Sequence, residues 1–332
     1  MIDQIYIEEA LLEHPRARAI LQRFPDASVT NCARYGEIFN RKAQNFRLQK
    51  IGPALILAEK FSGHVLPSPP EYAIGGDLNY YFSHMLNCIY DCRYCFLQGM
   101  YRSAHYVVFV NYEDFFQAIA DTIRTAGDAS AHFFSGYDCD SLALDPVTGF
   151  VKEFVPLFRD HPQALLELRT KSTQIRSLLD LEPIPNCIVA YSFTPAEIAD
   201  AMEHKAPPVS KRLQALQRLQ ARGWRIGLRF DPLIYQDGVR KQYERLFAQV
   251  FDAVDTALLH SVSLGSFRLP RSFYRSLERL YPDEVLFASP LEETSEGMIT
   301  YREEIRADLV SFCRDALLKY IPEDKFFPCE PL

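Results

Sequence analysis

Three cysteines within eight residues are the part of the sequence best equipped for chemistry. Cys88, Cys92 and Cys95 have the spacing C-x3-C-x2-C, and Tyr94 directly precedes the third cysteine. Three thiolates on one short segment can bind three irons of a cubane 4Fe–4S cluster and leave the fourth iron open, whereas an electron-carrying ferredoxin supplies a fourth cysteine. An open iron can bind a substrate or cofactor. The spacing therefore predicts cluster chemistry rather than electron storage.

Zinc and disulfide bonds are the main alternatives for these cysteines. Zinc sites usually add a second pair of Cys or His to a C-x2-C pair. The nearest later histidines, His105 and His132, form no such pair. Disulfides require an oxidising compartment, and the N-terminal residues have no signal-peptide pattern. An iron–sulfur cluster is the favoured interpretation, and zinc stays open as the second.

The composition is typical of an enzyme with a large core. Of the 332 residues, 48% are hydrophobic and 13% aromatic, which suits one α/β barrel-like domain. No apolar run approaches the roughly 20 residues that cross a bilayer, so we expect a cytoplasmic protein without membrane contact. The net charge of −7 argues against a protein coated in positive charge, although it allows a local basic groove.

Two stretches combine basic and aromatic residues most densely. They are residues 40–51 (NRKAQNFRLQKI) and 268–279 (RLPRSFYRSLER). Each is typical of a solvated helix face or an interdomain contact, and each is also compatible with contact to nucleic-acid phosphates.

Apolar strand patterns alternate with helical patterns along the middle of the chain. We expect one strand before the cysteines and others at 131–134, 165–170, 187–193, 225–230 and about 257–265, with helices at about 112–127, 146–161, 210–222 and 239–255. This alternation predicts an α/β fold, a partial (β/α)6 TIM-like barrel at residues 76–284. Function in such barrels gathers at the carboxyl ends of the strands, where the cysteine segment lies. Residues 1–75 are predicted as a helical extension, and residues 285–332 as a C-terminal cap packed on the core.

The cysteine spacing after the first barrel strand resembles that of the radical S-adenosylmethionine superfamily. The longer run from Tyr81 through Gln98 is similar to the spore photoproduct lyase family in particular, and the resemblance covers about residues 30–332. Further matches are Asp140 to Asp145 after the second strand, Thr170-Lys171 after the third, Glu203 and Pro207 ahead of Arg212-Leu213, Phe230-Asp231-Pro232 after the fifth, and the ending Cys329-Glu330-Pro331.

The resemblance implies a specific reaction. S-adenosylmethionine would bind the open iron of a 4Fe–4S cluster, and an electron from an external donor such as flavodoxin or ferredoxin would split it into methionine and a 5′-deoxyadenosyl radical. In this family the radical removes a hydrogen atom from C6 of a thymine photoproduct in DNA. The methylene bridge between the two thymines then breaks, and a cysteine thiol returns a hydrogen atom. The implied activity is a carbon–carbon lyase that repairs pyrimidine photodamage.

Residue roles follow from the same resemblance, position by position. Cys88, Cys92 and Cys95 match the cluster ligands. The positions matching S-adenosylmethionine contacts are Tyr94 against the adenine, Ser135 and Gly136 near the methionine amino group, Asp140 near the ribose, Lys171 near the carboxylate, and Ser192 at the end of the fourth strand.

The substrate side of the match is looser. The family's hydrogen-donor cysteine aligns with Tyr137, and Cys139 follows two residues later. These two residues, with Tyr94 and Tyr301, are the candidate catalytic residues. The family has a tyrosine where Phe96 stands, so a relay through that phenol is absent. Tyr301 resembles a substrate-side tyrosine, but Thr300 replaces its basic neighbour.

These departures leave two other functions open. One is the same radical chemistry on a different nucleic-acid base or a small metabolite. The other is a non-catalytic iron–sulfur or zinc protein that binds nucleic acid.

Overall fold

The computed structural model describes residues 2–329, with every side chain of that range except that of Glu71. Glu330 and Pro331 of the matched C-terminal ending therefore lie outside the described residues. The strands, numbered in chain order, are β1 (Gln4–Glu8), β2 (Ser28–Cys32), β3 (Leu55–Ala58), β4 (Leu66–Pro67), β5 (Leu78–Tyr81), β6 (Met85–Leu86), β7 (Asp91–Cys92), β8 (Tyr106–Phe109), β9 (Ala131–Phe134), β10 (Ala164–Thr170), β11 (Cys187–Ser192), β12 (Glu203–His204), β13 (Arg225–Leu233), β14 (Leu259–Ser266), β15 (Arg268–Pro270), β16 (Leu291–Glu293), β17 (Met298–Tyr301) and β18 (Phe326–Pro328).

The α-helices surround the sheets and follow the expected apolar periodicity. They are α1 (Pro15–Leu21), α2 (Phe46–Ile51), α3 (Leu97–Met100), α4 (Tyr112–Ala126), α5 (Asp145–Thr148), α6 (Phe150–Arg159), α7 (Arg176–Asp180), α8 (Ala196–Met202), α9 (Val209–Arg222), α10 (Val239–Ala253), α11 (Arg271–Leu280) and α12 (Glu303–Leu317). In α9, for example, Leu213, Leu216 and Leu219 recur every three residues on the buried side, and Gly223 ends the helix with a φ of 101°.

The main sheet is the partial barrel predicted from the sequence. Its order is β18-β14-β13-β11-β10-β9-β5-β4, and all neighbours are parallel except β4 and β5. The six strands β5, β9, β10, β11, β13 and β14 match the six expected ones, so the predicted α/β partial barrel is confirmed. Because these strands are parallel, their carboxyl ends meet at one rim, and the loop carrying the three cysteines follows β5 at that rim.

The N-terminal extension differs from the helical one predicted. Strands β2, β1, β3 and β8 form a parallel sheet, and β6 joins its edge in the antiparallel direction. The strands form because Ile5 and Ile7 alternate with more polar residues, and Leu55 to Ala58 are all buried, which suits a sheet covered on both faces. Since β3 pairs with β8, this sheet also crosses the predicted boundary at residue 75.

The C-terminal part packs on the barrel and also extends it. Strand β18 adds to the sheet edge beside β14, and β15, β17 and β16 form a small antiparallel sheet near the rim. None of the helices that the structure describes is long and apolar enough to span a bilayer.

A buried histidine beside the cysteine loop makes stability depend on pH. His84 is 1% exposed and its ring stacks on Phe150 with centroids 3.8 Å apart, while its Nδ1 has no hydrogen-bond partner among the described residues. Burial, with a smaller effect of Lys60, lowers the pKa of His84 to about 3. The unfolded chain therefore binds the proton more readily, and the stabilisation present above pH 6.5 is lost as the pH falls toward 3.

We expect the free energy of unfolding to fall by roughly 1 kcal/mol per pH unit through His84 alone between pH 6.5 and 5. His84→Phe keeps the ring stack and removes the titration, so its unfolding free energy should depend less steeply on pH. Urea unfolding at several pH values measures both slopes. Identical slopes for the two proteins would contradict the assignment.

Candidate active site

The cysteine loop is fixed at its start by an asparagine. Asn87 has a φ of 72°, in the left-handed region that Asn tolerates better than most residues. Its side-chain amide donates to the carbonyls of Ser103 (2.9 Å) and His105 (3.1 Å), and its Oδ1 accepts from the backbone N–H of Cys88 at 2.9 Å. The turn into the loop is therefore held by three hydrogen bonds.

Two contacts hold the middle of the loop. Strand β7 pairs with β12, which places Cys92 opposite Glu203. The backbone N–H of Arg93 donates to the carbonyl of Met202 at 2.8 Å. On another side, Lys50 Nζ lies 3.3 Å from Asp91 Oδ1. The loop is thereby tied to the helix α8 and to α2 as well as to the barrel.

The three thiols of the loop share one cavity and suit cluster ligands. All three are free, and they line a cavity of about 190 Å³ at the rim. Burial raises the pKa of Cys88 to about 12 and raises the pKa values of Cys92 and Cys95 as well. The backbone N–H of Tyr90 donates to Cys88 Sγ at 3.4 Å, and that of Leu97 donates to Cys95. Hydrogen bonds of this kind are common at iron–sulfur clusters, where they help to set the potential.

Among the side chains that the structure describes, no three Cys, His, Asp or Glu converge as ligands of a single metal ion. Each thiolate of a cubane binds its own iron, so cluster ligands do not have to meet at one point. The three thiols around one cavity fit the cluster on these grounds.

A buried carboxylate connects the loop to the barrel. Glu203 accepts hydrogen bonds from the Tyr94 hydroxyl and from Thr194 Oγ1 (2.6 Å), and it pairs with Arg212, which is 1% exposed. Lys171 Nζ lies 3.9 Å from Glu203 Oε1 and 5.6 Å from the centroid of the Tyr94 ring. Burial opposes ionisation of Glu203, but the charges of Lys171 and Arg212 lower its pKa. The carboxylate thus fixes Tyr94 and holds a lysine at the cavity wall.

The loop after β9 supplies a second wall. Asp140 accepts from the backbone N–H groups of Leu142 (3.0 Å) and Ala143 (2.9 Å), from Thr170 Oγ1 (2.7 Å) and from the backbone N–H of Lys171 (2.6 Å). Burial raises the pKa of Asp140, and these hydrogen bonds oppose the rise. Asp140 therefore caps the turn that follows it and also faces the cavity.

Gly136 lines the cavity, whereas its neighbour Ser135 is turned away from it. A Cβ on Gly136 would come within 2.9 Å of Arg169 Cβ and 3.0 Å of Ser141 Oγ, so only glycine fits there. The side chain of Ser135 is buried and bonds to Ser141 Oγ (2.8 Å) and the Glu167 carbonyl (2.9 Å).

Aromatic rings cover the outer part of the cavity around Tyr137. Its ring stacks on Tyr81 with centroids 4.4 Å apart and contacts Phe96 (5.6 Å) and Tyr72 (6.0 Å).

Cys139 lines the inner part of the cavity. Its thiol donates to the Ser135 carbonyl at 3.8 Å, and its side chain packs against the core of the N-terminal sheet. Cys139 and Cys88 line the same cavity, and burial, followed by the charge of Cys88, raises the pKa of Cys139.

Ten of the twelve site residues predicted from the sequence line this one cavity: Cys88, Cys92, Tyr94, Cys95, Gly136, Tyr137, Cys139, Asp140, Lys171 and Ser192. Ser135 and Tyr301 do not. Tyr301 is fully buried behind Phe267, with ring centroids 6.0 Å apart, and its hydroxyl accepts from the backbone N–H of Tyr235 at 2.9 Å. In this structure Tyr301 supports the cavity wall rather than forming it.

Comparison with known proteins identifies the family. The family model described as spore photoproduct lyase matches residues 1–295 of the sequence. The chain belongs to the spore photoproduct lyase family. The spore photoproduct lyase of Bacillus subtilis (strain 168) is 23% identical over 343 residues, covering 98% of this chain and 95% of that protein. A Geobacillus spore photoproduct lyase is 23% identical over 248 residues, covering 71% and 72%.

Solved structures of spore photoproduct lyase have the same fold. A double mutant with bound AdoMet and dinucleoside spore photoproduct has a TM-score of 0.86 at 18% identity, with 100% of this chain and 99% of that chain covered. A complex with dinucleoside spore photoproduct has a TM-score of 0.84 at 17% identity, covering 99% and 98%. The family resemblance and the radical S-adenosylmethionine type of partial barrel stated from the sequence are thus confirmed.

Several residues of this family member's site were not assigned a role from the sequence. Glu203 and Arg212 were recognised only as matches, although Arg212 lies on the apolar face of α9 with Leu213 and Leu216, where a cation signals a buried partner. Glu167 and Arg169 lie two residues apart on β10, so their side chains share one face and form an ion pair. Glu167 also pairs with the fully buried Arg229 at 2.7 Å. Burial opposes ionisation of Glu167, but Arg229 and Arg169 lower its pKa to about 2.

Proposed function

We propose that the protein is a radical S-adenosylmethionine lyase that cleaves a pyrimidine photoproduct in DNA. The observation that carries the proposal is the single cavity shared by the three thiols, the predicted cofactor contacts and an aromatic wall, in a chain of the spore photoproduct lyase family. Membership of a lyase family also favours an enzyme over a non-catalytic nucleic-acid binder.

The cofactors we propose are a 4Fe–4S cluster held by Cys88, Cys92 and Cys95, and S-adenosylmethionine. When bound, this pair supplies a 5′-deoxyadenosyl radical that removes a hydrogen atom from the substrate. The chain's own residues orient the cofactor: Tyr94 offers its ring, while Gly136 lets the backbone approach closely. The buried walls exclude water, which protects a reactive intermediate.

Lys171 is the proposed partner of the methionine carboxylate. Lys171 lines the cavity, and its ammonium group lies 3.9 Å from Glu203 Oε1, beyond a short hydrogen bond. We expect Lys171→Ala to weaken S-adenosylmethionine binding by about 10- to 100-fold, because a hydrogen bond to a charged group contributes about 1.5–3 kcal/mol. Equilibrium dialysis with the reconstituted protein measures this. Lys152→Ala, at an exposed lysine of α6, is the control, and equal affinities for the two variants would refute the role.

The outer cavity suits a pair of stacked bases joined to a sugar–phosphate backbone. Tyr72, Tyr137 and Phe96 offer ring faces and edges, and base–aromatic stacking contributes about 1–3 kcal/mol per base. Arg169 and Arg268 also line the cavity, and Arg268 Cζ lies 5.5 Å from the centroid of the Tyr72 ring. These cations can contact phosphate oxygens. The cavity chemistry therefore fits a dinucleotide lesion.

Tyr137 is the better placed of the two proposed hydrogen-atom donors. It faces the aromatic wall where bases would lie, whereas the Cys139 thiol is directed toward the Ser135 carbonyl. We expect Tyr137→Phe to lower the yield of repaired dinucleoside per 5′-deoxyadenosine by about tenfold or more, equivalent to at least 1.4 kcal/mol. Cys139→Ala should change the ratio less. Chromatography of both products measures the ratio of repaired dinucleoside to 5′-deoxyadenosine. A larger fall of this ratio in Cys139→Ala than in Tyr137→Phe would assign the donor role to the thiol.

The proposal is tested with the reconstituted protein under anaerobic conditions. Dithionite, S-adenosylmethionine and a dinucleoside spore photoproduct should give thymidine dinucleoside and 5′-deoxyadenosine. If 5′-deoxyadenosine forms and the lesion stays intact, the substrate is instead another nucleic-acid base or a small metabolite. If neither 5′-deoxyadenosine nor the repaired dinucleoside forms, the protein is not a radical enzyme.

A further inference from the structure

The basic stretch at residues 40–51 lies beside the cysteine loop but outside the cavity. None of its residues lines the cavity, yet α2 within it packs on the loop through Lys50, whose Nζ lies 3.3 Å from Asp91 Oδ1, next to Cys92. Lys205 Nζ reaches the Lys50 carbonyl at 3.5 Å. The structure thus places the stretch on the solvent side of the loop that carries the thiols.

This surface is strongly basic on a chain of net charge −7. Residues 41–51 contain four cations and no acidic residue. Arg41 and Lys42 are exposed, and Arg47 donates to the backbone carbonyls of Arg279 (3.2 Å) and Leu280. Within the described part of the chain, none of these three cations nor Lys205 pairs with a carboxylate. Two acidic residues at the loop, Asp91 and Glu284, are paired with Lys50 or Arg93.

The same segments expose large aliphatic side chains. Leu48 and Ile51 of α2 are 64% and 83% exposed. Val285, which is 74% exposed, follows Glu284, whose Oε2 lies 3.9 Å from Arg93 Nε. We call the set Arg41, Lys42, Arg47, Leu48, Ile51, Lys205 and Val285 the outer loop face. Exposed aliphatic groups among cations are typical of a surface that binds an acidic protein, whereas a nucleic-acid backbone offers aliphatic groups little to contact.

We propose that the outer loop face docks a small acidic one-electron carrier of the flavodoxin or ferredoxin class. This inference rests on the proposed function, in which the carrier loses one electron and the cluster held by the three thiols gains it. Electron transfer weakens steeply with distance, so the carrier must approach the loop. This face adjoins the loop, because its neighbour Lys50 pairs with Asp91 and Lys205 reaches the Lys50 carbonyl. Opposite charges steer such an encounter and set the orientation of the two proteins.

Binding of oxidised flavodoxin and of ferredoxin to the reconstituted holoenzyme tests the proposal without relying on activity. Wild type should bind at least one of them, with an affinity that falls as salt rises. Arg41→Glu/Lys42→Glu should weaken binding by roughly tenfold and flatten the salt dependence. Among the described residues, neither side chain makes a hydrogen bond or an ion pair, and both residues are exposed, so the fold should persist. Arg218→Glu/Lys319→Glu makes the same charge change at two exposed cations elsewhere and should bind as wild type does.

A second variant tests the aliphatic part, and a chemical reductant separates the two proposals. Leu48→Ser/Ile51→Ser should also weaken carrier binding. Both variants should form 5′-deoxyadenosine normally with dithionite and slowly with the reduced carrier. Failure of wild type with dithionite would overturn the proposed function itself. Three results would overturn the docking site if turnover with dithionite is normal. They are that the wild type binds neither carrier, that the variants bind the carrier as the wild type does, or that the variants lose only DNA binding.

Discussion

Replacing any one of Cys88, Cys92 and Cys95 by alanine should abolish cluster binding and radical formation together. Each thiol lines the cavity and each would hold one iron, so the remaining two cannot retain a cubane. We expect iron and sulfide contents near zero after reconstitution, and 5′-deoxyadenosine formation reduced by at least about a thousandfold, or about 4 kcal/mol in the barrier. Iron and sulfide analysis and product chromatography measure these two losses.

The matched control for these variants is another buried cysteine. Cys32 lies on β2, is 6% exposed and lines no part of the cavity. Cys32→Ala should therefore bind the cluster and form 5′-deoxyadenosine at the wild-type rate. A single loop variant that kept the full cluster, or a Cys32 variant that lost it, would show that the ligand set is different.

Removing Glu203 should cause the largest loss of stability near the site. Glu203→Ala leaves Arg212 buried without an anion and deprives Tyr94 of its acceptor. We expect the free energy of unfolding to fall by about 3–5 kcal/mol, the usual cost of breaking a buried ion pair. The cluster loop should also load iron less completely, because Tyr94 lies within it. Urea unfolding of the apo-protein measures the stability change separately from cluster loading.

A double-mutant cycle distinguishes the ion pair from a general packing defect. Glu203→Gln/Arg212→Met removes both charges, so its destabilisation should be smaller than the sum of the single changes by about 0.5–3 kcal/mol. Glu182→Ala breaks the exposed pair with Arg222, whose atoms are 2.6 Å apart, and should cost at most about 1 kcal/mol. Additive effects of Glu203→Gln and Arg212→Met would contradict direct coupling.

The barrel could be predicted because the apolar patterns of its strands and helices lie within short segments of the sequence. Runs such as residues 187–192 are apolar and bounded by turn residues, and α9 repeats its leucines every three residues. The N-terminal strands are short, and β3 pairs with β1 and with β8, which both lie far from it along the chain. Nothing nearby therefore distinguishes these strands from a loop-rich helical segment. Sheet pairing at such separations is decided by burial, which a local pattern does not record.

A sequence motif predicts a site residue more readily than a distant contact does. The cysteine spacing by itself predicts the proposed cluster ligands. Glu203 meets Tyr94 across 109 residues of sequence, so its role emerges only from the fold. Tyr301 is the converse case: its motif resembles a substrate-side tyrosine, but its hydroxyl is directed to the backbone of Tyr235 and away from the cavity.

Transfer of a labelled hydrogen tests the central claim most directly. A dinucleoside spore photoproduct carrying deuterium at C6 should be cleaved by the reduced holoenzyme, and the deuterium should appear in 5′-deoxyadenosine by mass spectrometry. Cleavage with label transfer is the predicted result. Unlabelled 5′-deoxyadenosine beside an intact lesion would contradict the assignment of this cavity to pyrimidine photodamage.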